Sequence, residues 1–522
     1  MRIILFYLAF FWSIININLI SAQPNLDNTF ANNGIYIEST FYPANLYGYY
    51  FNTGAITNDN KIIAVGMYVV QNGAINGSFV RRLNADGSID NTFNMYTRPP
   101  GFDYTWSNDN IVFSNIYLQD DNKILLGDLS FKLITRLNSN GDVDPTFGNN
   151  GEISRLTIDN IFTSFGLKVN SLRKFYRANN KIFVLSNATT INGNQKKIML
   201  LRFNDNGTLD TSFGSNGGVI ENGENGSFIV NNAKILLLSH NIETSSTFLK
   251  RFDLNGQVDP TFNAGTIQFT PPTGYSLNFY DAIQGGNYLY LGGVALSPGK
   301  KTLVITAKLS LDGSIVNTYG NNGLFAGNFI ETYNTYNIDT SAHYYKLLID
   351  NDSNLYVGLS GSIIASGINN NYDQWLKKIT STGGDGGTAV VNINNRDDIA
   401  RCAIFQDNGK VLLFGMSYFP GLTRPIISRV FTNSITLNVD NNVTNYKEIK
   451  VYPNPTAEYL NIALKDLSIR DKFIKIYDVT GRLVLTLPIS TKENNLKIDV
   501  RSLNKGVYFL VIGDYKQKFI RE

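Results

Sequence analysis

Aspartate recurs in one setting along this chain. Asp90, Asp144, Asp210 and Asp259 each follow an apolar residue and precede, after one position, Thr or Ser and then Phe, as in Ile89-Asp90-Asn91-Thr92-Phe93. Carboxylates can act as general acids or hold a cation, but a catalytic carboxylate should be the odd one out, and these are in one register. Short Asp side chains accept backbone N–H groups in turns, so the repeat reads as structural. The neighbouring Asn-x-Asp-Gly and Asp-x-Asn-Gly phrases space oxygen atoms as calcium ligands are spaced. A full calcium loop also needs a bidentate acid near its end, and no Glu follows Gly87, Gly141 or Gly207 at that distance. No cofactor is therefore expected, with calcium a minority reading. His240 and His343 are the only histidines, which nearly excludes His-built zinc sites and Ser-His-Asp triads. The single cysteine, Cys402, can form no internal disulfide and is expected as a small buried hydrophobe.

Acids outside the repeated register, Glu152, Glu224, Asp281 and Glu331, are the candidates for paired-carboxylate chemistry on a glycan, and no spacing selects among them. Two stretches depart from the repeat and carry aromatic residues beside amides and acids. Tyr96 to Asn115 contains Tyr104 and Trp106, and Gly367 to Trp375 contains Asn369, Asn370, Asn371, Tyr372 and Asp373. Such aromatics stack on sugars when exposed and pack in a core when not. Trp106, Tyr104, Trp375 and Tyr372 are the ligand-binding candidates, and no catalytic or metal-ligating residue is assigned.

The elements that must carry these residues are strands. Charged residues are only 17% of the 522, while Tyr and Phe number 29 and 33 and Gly 45, a balance that favours strands and tight turns over helices. Three phrases repeat. A polar turn leading into an apolar strand occurs seven times, at Lys61, Lys123, Lys181, Lys234, Asn287, Asn354 and Lys410, roughly 58 residues apart on average, a period that marks a propeller or solenoid. A basic residue and a short apolar strand then turn on Gly, as in Arg82-Leu83-Asn84-Ala85-Asp86-Gly87, with copies from Arg136, Arg202, Arg251 and Lys308 and weaker ones from Lys378 and Arg429. Asp-Gly and Asn-Gly predict hairpins with type I′ turns. The Asp-x-Thr-Phe phrase comes third and leads into a return strand, and a strand from the variable segment completes a four-stranded blade. At the N-terminus Leu26-Asp27-Asn28-Thr29-Phe30 is a third phrase with no second phrase before it, while Arg429-Val430 has no third phrase after it. Each end supplies what the other lacks, so the array is expected to close into a ring of seven blades, which also hides its raw sheet edges.

These residues resemble the delta-60 repeat family, whose units read Arg-Leu-Asn-x-Asp-Gly-Ser-Leu-Asp-x-Thr-Phe-Gly. The likeness covers Leu26 to Val430, is strong around Gly87, Gly141, Gly207 and Gly256, and is poor around Gly383. It implies a secreted or surface β-propeller-like scaffold to which no reaction is assigned.

Both ends read as addresses. Residues 1–22 have the form of a signal peptide, with Arg2, an apolar run from Ile3 to Ile14, and Ser21-Ala22 before the cut. Asn16 and Asn18 interrupt a run already short for a membrane span, and no later segment approaches that length, so no transmembrane segment is expected after cleavage. From Tyr446 the pattern changes. Tyr452-Pro453-Asn454-Pro455, Tyr477-Asp478 with Gly481-Arg482, Gly506 with Tyr508, and Lys516 with Lys518 resemble the type A C-terminal sorting domain of the type IX secretion system. The resemblance implies the type IX machinery as partner, passage through the periplasm of a Gram-negative bacterium, and secretion or display on the outer-membrane surface. Read from its own alternation, the same stretch is a small antiparallel sandwich, with a hairpin across Thr480-Gly481 and a buried strand from Val507 to Ile512.

The expected organisation is all-β: a signal peptide (1–22), a seven-bladed propeller (23–440), a linker (441–445) and a C-terminal sandwich (446–522). The net charge is +3, and neither part has a basic stripe suited to nucleic acid. The function expected is a secreted or cell-surface, non-enzymatic propeller that binds a glycan or protein. A glycan-active hydrolase or lyase, or a structural surface or adhesion component, are the alternatives.

Overall fold

The computed structural model describes residues 26–41, 46–70, 75–98, 113–128, 133–193, 195–231, 234–241, 246–262, 265–267, 269, 271–296, 302–327, 346–362, 372–393, 396–407, 409–419, 421–432, 451–463, 473–478, 483–489, 495–512 and 515–522. The signal-peptide and linker readings, residues 1–22 and 441–445, lie outside them. The chain divides into two compact units, residues 1–438 and 439–522.

Among the described residues the first unit contains seven four-stranded antiparallel blades. Blade 1 runs from its inner strand Leu46–Ile56 through Ile62–Val70 and Ile75–Leu83 to Tyr96–Arg98. The inner strands of blades 2 to 7 are Phe113–Leu118, Leu167–Ala178, Glu224–Asn231, Ser276–Gly285, Lys346–Ile349 and Asp398–Asp407. Each inner strand packs against the next, and the seventh returns to the first, which closes the ring. Blade 7 takes its fourth strand, Ile35–Ile37, from the N-terminus, paired antiparallel with Leu422–Phe431, and Leu26 bridges Val430 beside it. The seven blades and the closure by exchange of ends match the expectation from the repeat. A single parallel bridge, Gly48 to Thr423, also links blades 1 and 7.

Strand alternation gives the ring two different rims. The turns joining first to second and third to fourth strands lie on one, hereafter the turn rim. The second-to-third turns and the connections between blades lie on the other, the connection rim. All three repeated phrases fall at the turn rim. One detail differs from the sequence reading: in the Asn84–Ser88 turn only Gly87 has positive φ, at 87°, while Gly87 N donates to Asn84 O and Asn84 N to Ser88 O. This is a three-residue hairpin with a glycine bulge rather than type I′. A type I′ pair occurs instead at Asn179-Asn180, with φ of 51° and 55°, ahead of Lys181. The one helix among the described residues, Arg155–Ser164, is capped by Ser154 and lies in the connection between blades 2 and 3.

The second unit pairs Val451–Tyr452, Tyr459–Ala463 and Asn495–Asp499 in one sheet and Phe473–Asp478, Leu483–Pro488, Gly506–Ile512 and Tyr515–Arg521 in another. Leu460, Ile462, Ile474, Ile476, Ile498, Leu510, Ile512 and Phe519 form their shared core. No helix among the described residues is long and apolar enough to cross a membrane.

Candidate functional site

The repeated aspartates are consumed in a latch between blades. In blade 2, Asp144 Oδ2 accepts from Arg136 Nε at 2.7 Å and from Lys123 Nζ at 3.0 Å, while Oδ1 accepts from Thr146 N and Oγ1. The Arg136 guanidinium lies 4.7 Å from the Phe147 ring centroid, and its Nη1 donates at 2.6 Å to Asp205 O in the turn of blade 3. Gly148 N, just past that phenylalanine, donates to Asn206 O in the same turn. Blades 1, 3 and 4 repeat the arrangement with Lys61, Arg82 and Asp90, with Lys181, Arg202 and Asp210, and with Lys234, Arg251 and Asp259. Ring closure uses it too: Asp27 of the N-terminal segment receives Arg429 and Lys410 of blade 7, and Arg429 Nη1 donates to Ala85 O of blade 1. Burial alone would raise the Asp90, Asp144 and Asp210 pKa values. The hydrogen bonds from Thr or Ser and from Lys and Arg outweigh it and hold these carboxyls well below the usual range.

The latch also explains the turn glycines. Gly141 has φ of 96°, and a Cβ there would lie 2.0 Å from Asn94 O of the preceding blade. The oxygens behind the calcium reading are occupied by their own turns, with Asp86 Oδ1 accepting from Ser88 N and Oγ and Asp253 Oδ1 from Asn255 N and Gln257 N. No group of three or more His, Cys, Asp or Glu is arranged to hold a metal ion among the described residues.

Two blades lack the latch. In blade 5 the charged positions read Tyr288, Lys308 and Val316, and the Lys308 ammonium sits 4.0 Å from the Tyr288 ring centroid and 5.4 Å from that of Tyr290. In blade 6 Gly386 stands at the aspartate position, and the buried Lys377 pairs with Asp385 instead. The seam between blades 6 and 7 has no turn to grip, because the third and fourth strands of blade 7 come from opposite ends of the propeller. That seam holds a different polar cluster toward the connection rim. Asp398, at the start of the inner strand of blade 7, is fully buried, as is Gln374 of blade 6, and Asp373 is 8% exposed. Asp398 Oδ2 accepts from Ile393 N, Asp373 Oδ1 from Asn392 Nδ2 at 2.7 Å, and Ser360 Oγ donates across the seam to Ala400 O at 2.8 Å. Burial pushes the Asp373 carboxyl up to about 7 and that of Asp398 to about 8; the Asp397 charge further opposes ionisation of Asp373 and the Asp373 charge that of Asp398, while Arg396 pulls Asp398 the other way. Beside them Arg396 and Arg424 lie 4.2 Å and 5.1 Å from the centroid of the same ring, Phe419.

A third cluster crosses the inner strands of blades 3, 4 and 5. Ser227 Oγ donates to Asp281 Oδ1 at 2.9 Å, and Lys174 Nζ reaches Ser227 Oγ at 3.2 Å and Asp281 Oδ1 at 3.0 Å. Ser227 is buried and Asp281 also accepts from Ala282 N and Leu347 N, so the group works as a clamp between blades. A pocket between blades 4 and 5, lined in part by Arg251 and Gln284, measures about 70 Å³, well short of the several hundred Å³ typical of ligand sites.

Comparison with known families agrees with this geometry. The model described as a domain of unknown function (DUF5122) beta-propeller matches residues 57–93, 119–147 and 177–213, and that described as a secretion system C-terminal sorting domain matches residues 450–522. The chain is a DUF5122-repeat propeller ending in a type IX sorting domain. No curated protein matches it. Among solved structures this DUF5122-repeat propeller is similar to virginiamycin B lyase from Staphylococcus aureus, at 11% identity over 76% of this chain and 99% of that one, with a TM-score of 0.38. It is also similar to polysaccharide lyase Uly1, at 11% identity over 77% and 94%, with a TM-score of 0.42. At these values no residue role carries across. The sorting domain implies secretion or surface display through the type IX machinery.

In that domain the first and last motifs meet. Asn454 accepts from Ile520 N at 2.9 Å through Oδ1 and donates to Lys518 O at 3.1 Å through Nδ2, and Thr456 N and O bond Ile520 O and Glu522 N. Tyr508 is buried against Phe519 and its hydroxyl donates to Asn504 O; Asp478 is paired in register with Tyr508 and Tyr477 with Phe509. Tyr452 is exposed, Lys516 pairs in register with Val511, and Gly481 and Arg482 lie outside the described residues.

The ligand-binding candidates do not form one site. Tyr104 and Trp106 lie outside the described residues. Trp375 is corrected from a ligand-stacking aromatic to a core residue: it is fully buried with Tyr290, Val294, Leu347 and Val357, because strand alternation points it into the seam with blade 5. Tyr372, at the start of that strand, is half-buried, and its N donates to Asp397 Oδ1 at 2.8 Å. Of the unmatched acids, Glu152 pairs with Arg98, Glu224 with Lys196 and Asp281 with Lys174, while Glu331 lies outside the described residues. Cys402 is buried. Asp373 lay in a stretch the sequence singled out, whereas Asp398, Arg396, Phe419 and Arg424 were missed; the decay of the repeat around Gly383 was the signal pointing to this part of the ring.

Proposed function

We propose that this protein is a secreted or surface-displayed, non-enzymatic recognition module that binds a glycan or a protein ligand at its connection rim. The observation carrying this reading is the division of labour between the rims. In five blades the charged groups of the repeat are tied up in latches at the turn rim, and the aromatic-rich stretches that depart from the repeat, 96–115 and 367–375, join strand ends at the other, where loops on a rigid scaffold are free to vary. The tail supplies the export step, so deleting residues 446–522 should leave the protein in the periplasm; normal display of the truncated chain would count against it. The test of binding is the purified mature chain on glycan and protein arrays, with product analysis of every bound sugar. Binding without turnover supports the reading.

Turnover would favour a glycan-active enzyme. The observation on that side is the Asp373 and Asp398 pair, whose carboxyls are pushed up into the range where an acid and a base work near neutrality. Their burial in the seam weighs against it, since a general acid must reach its substrate. Loss of turnover in Asp398→Asn, with the fold intact, would decide for the enzyme.

A further inference from the structure

The geometry points to an anion-binding subsite on the Arg396, Phe419 and Arg424 cluster, suited to an acidic polysaccharide that carries carboxylate or sulfate groups; it rests on the recognition reading above and names its ligand class. Phe419 ends the second strand of blade 7 and Arg424 lies diagonally across from it on the third, while Arg396 comes from the connection entering the same blade. One aromatic ring thus holds two guanidinium groups, 4.2 Å and 5.1 Å from its centroid. Two like charges are normally kept together by a carboxylate between them. Among the described residues neither arginine has an ion-pair partner, and Arg396 Nη1 and Arg424 Nε are buried without a hydrogen-bond acceptor.

The arginines of the latches stand in contrast. Arg82, Arg136, Arg202, Arg251 and Arg429 also lie over a phenylalanine, and each meets an aspartate at 2.6 to 2.9 Å. At the seam the carboxyls that would serve are engaged elsewhere: Asp373 and Asp398 accept from Asn392 and from Ile393 N and are pushed toward their neutral forms by burial, which outweighs the pull of the Arg396 charge on Asp398, and Asp397 accepts from Tyr372 N. The positive charge of the pair is left for a ligand. Planar guanidiniums packed on a ring are preorganised to bind a carboxylate or sulfate through paired N–H donors.

The test measures binding of the mature chain to polygalacturonate, dextran sulfate and uncharged dextran at low and physiological salt. Arg396→Gln with Arg424→Gln should weaken binding to a charged polymer about tenfold or more, while Arg155→Gln, which removes an exposed charge from the helix, should leave it unchanged. Arg396→Lys with Arg424→Lys keeps both charges and should retain part of the affinity, which separates loss of the site from loss of the fold. The stronger of the two polymers distinguishes carboxylate from sulfate. Charged-polymer binding that ignores the glutamine pair overturns the subsite. Binding only to neutral glycans or to proteins overturns it while leaving the recognition reading intact, and binding to nothing on either array overturns both.

Discussion

The turn rim and the seam between blades 6 and 7 use the same residue types to opposite ends. In the latches of the turn rim arginine, lysine, aspartate and phenylalanine meet as a closed set, and every charge of the set has an opposite charge in contact. At the seam aspartate and arginine are neighbours but are not paired: the carboxyls turn inward to amides and backbone N–H groups, and the guanidiniums stack on Phe419. A buried charge with a well-placed partner has its desolvation cost offset, whereas a charge without one either neutralises or waits for a ligand. Repetition thus marks the part of this ring that holds itself together, and failure of the repeat marks the part free to do something else.

The sharpest way to break this comparison is to remove one latch. Arg136→Met leaves Asp144 buried with only Lys123, and should cost about 3–5 kcal/mol in chemical denaturation of the mature chain. Lys308→Met in blade 5, where no carboxylate is stranded, should cost clearly less; equal losses would mean the latch carries no special weight. Trp375→Ala should lower stability by a similar amount, about 3–5 kcal/mol, through the cavity it leaves, and should leave ligand affinity unchanged once the protein is folded. A selective loss of binding at unchanged stability would return Trp375 to the list of ligand contacts.

Acidity separates the two regions by sign. The latch carboxyls are held below their ordinary pKa of 3.8, so their stabilisation is present above about pH 4 and lost as pH falls through the lowered values. Asp373 and Asp398 are raised to about 7 and about 8. Both are neutral in folded and unfolded chains below about pH 4; as pH rises the unfolded carboxyls ionise first, and the folded state loses stability until about pH 8. Asp398→Asn should therefore raise the melting temperature relative to the parent more at pH 8.5 than at pH 5, and Asp144→Asn should destabilise more at pH 7 than at pH 3. The same pH slope in both variants would erase the distinction.

The smallest expected effect tests the turn alone. Gly141→Ala forces a left-handed backbone on a residue with a Cβ and drives that atom toward Asn94 O, a cost of about 1–3 kcal/mol in thermal or denaturant unfolding.

Much of the scaffold was legible because it is periodic. The strand phrases, the spacing and the complementary ends specify seven blades and an exchanged strand, and alternation in the tail specifies the sandwich. The latch was not legible because its members come from three phrases: Lys61 and Asp90 are far apart in sequence and meet only when strands pair. The seam was hidden for a second reason. Asp373, Asp398, Phe419 and Arg424 belong to two blades and to no shared phrase, so nothing in the chain sets them side by side. Trp375 was misread because an aromatic beside amides looks the same in a loop as at the start of a strand, and only the strand Tyr372–Ile379 decides which way it faces.

Closure through Asp27 and Arg429 also sets a requirement on folding. Asp27 finds its partner Arg429 just over four hundred positions later, and the resulting loop is among the longest the chain could close. Six blades can form as neighbours meet, but the seventh stays incomplete until both ends of the propeller are present in one compartment. High contact order of this kind makes ring closure slow.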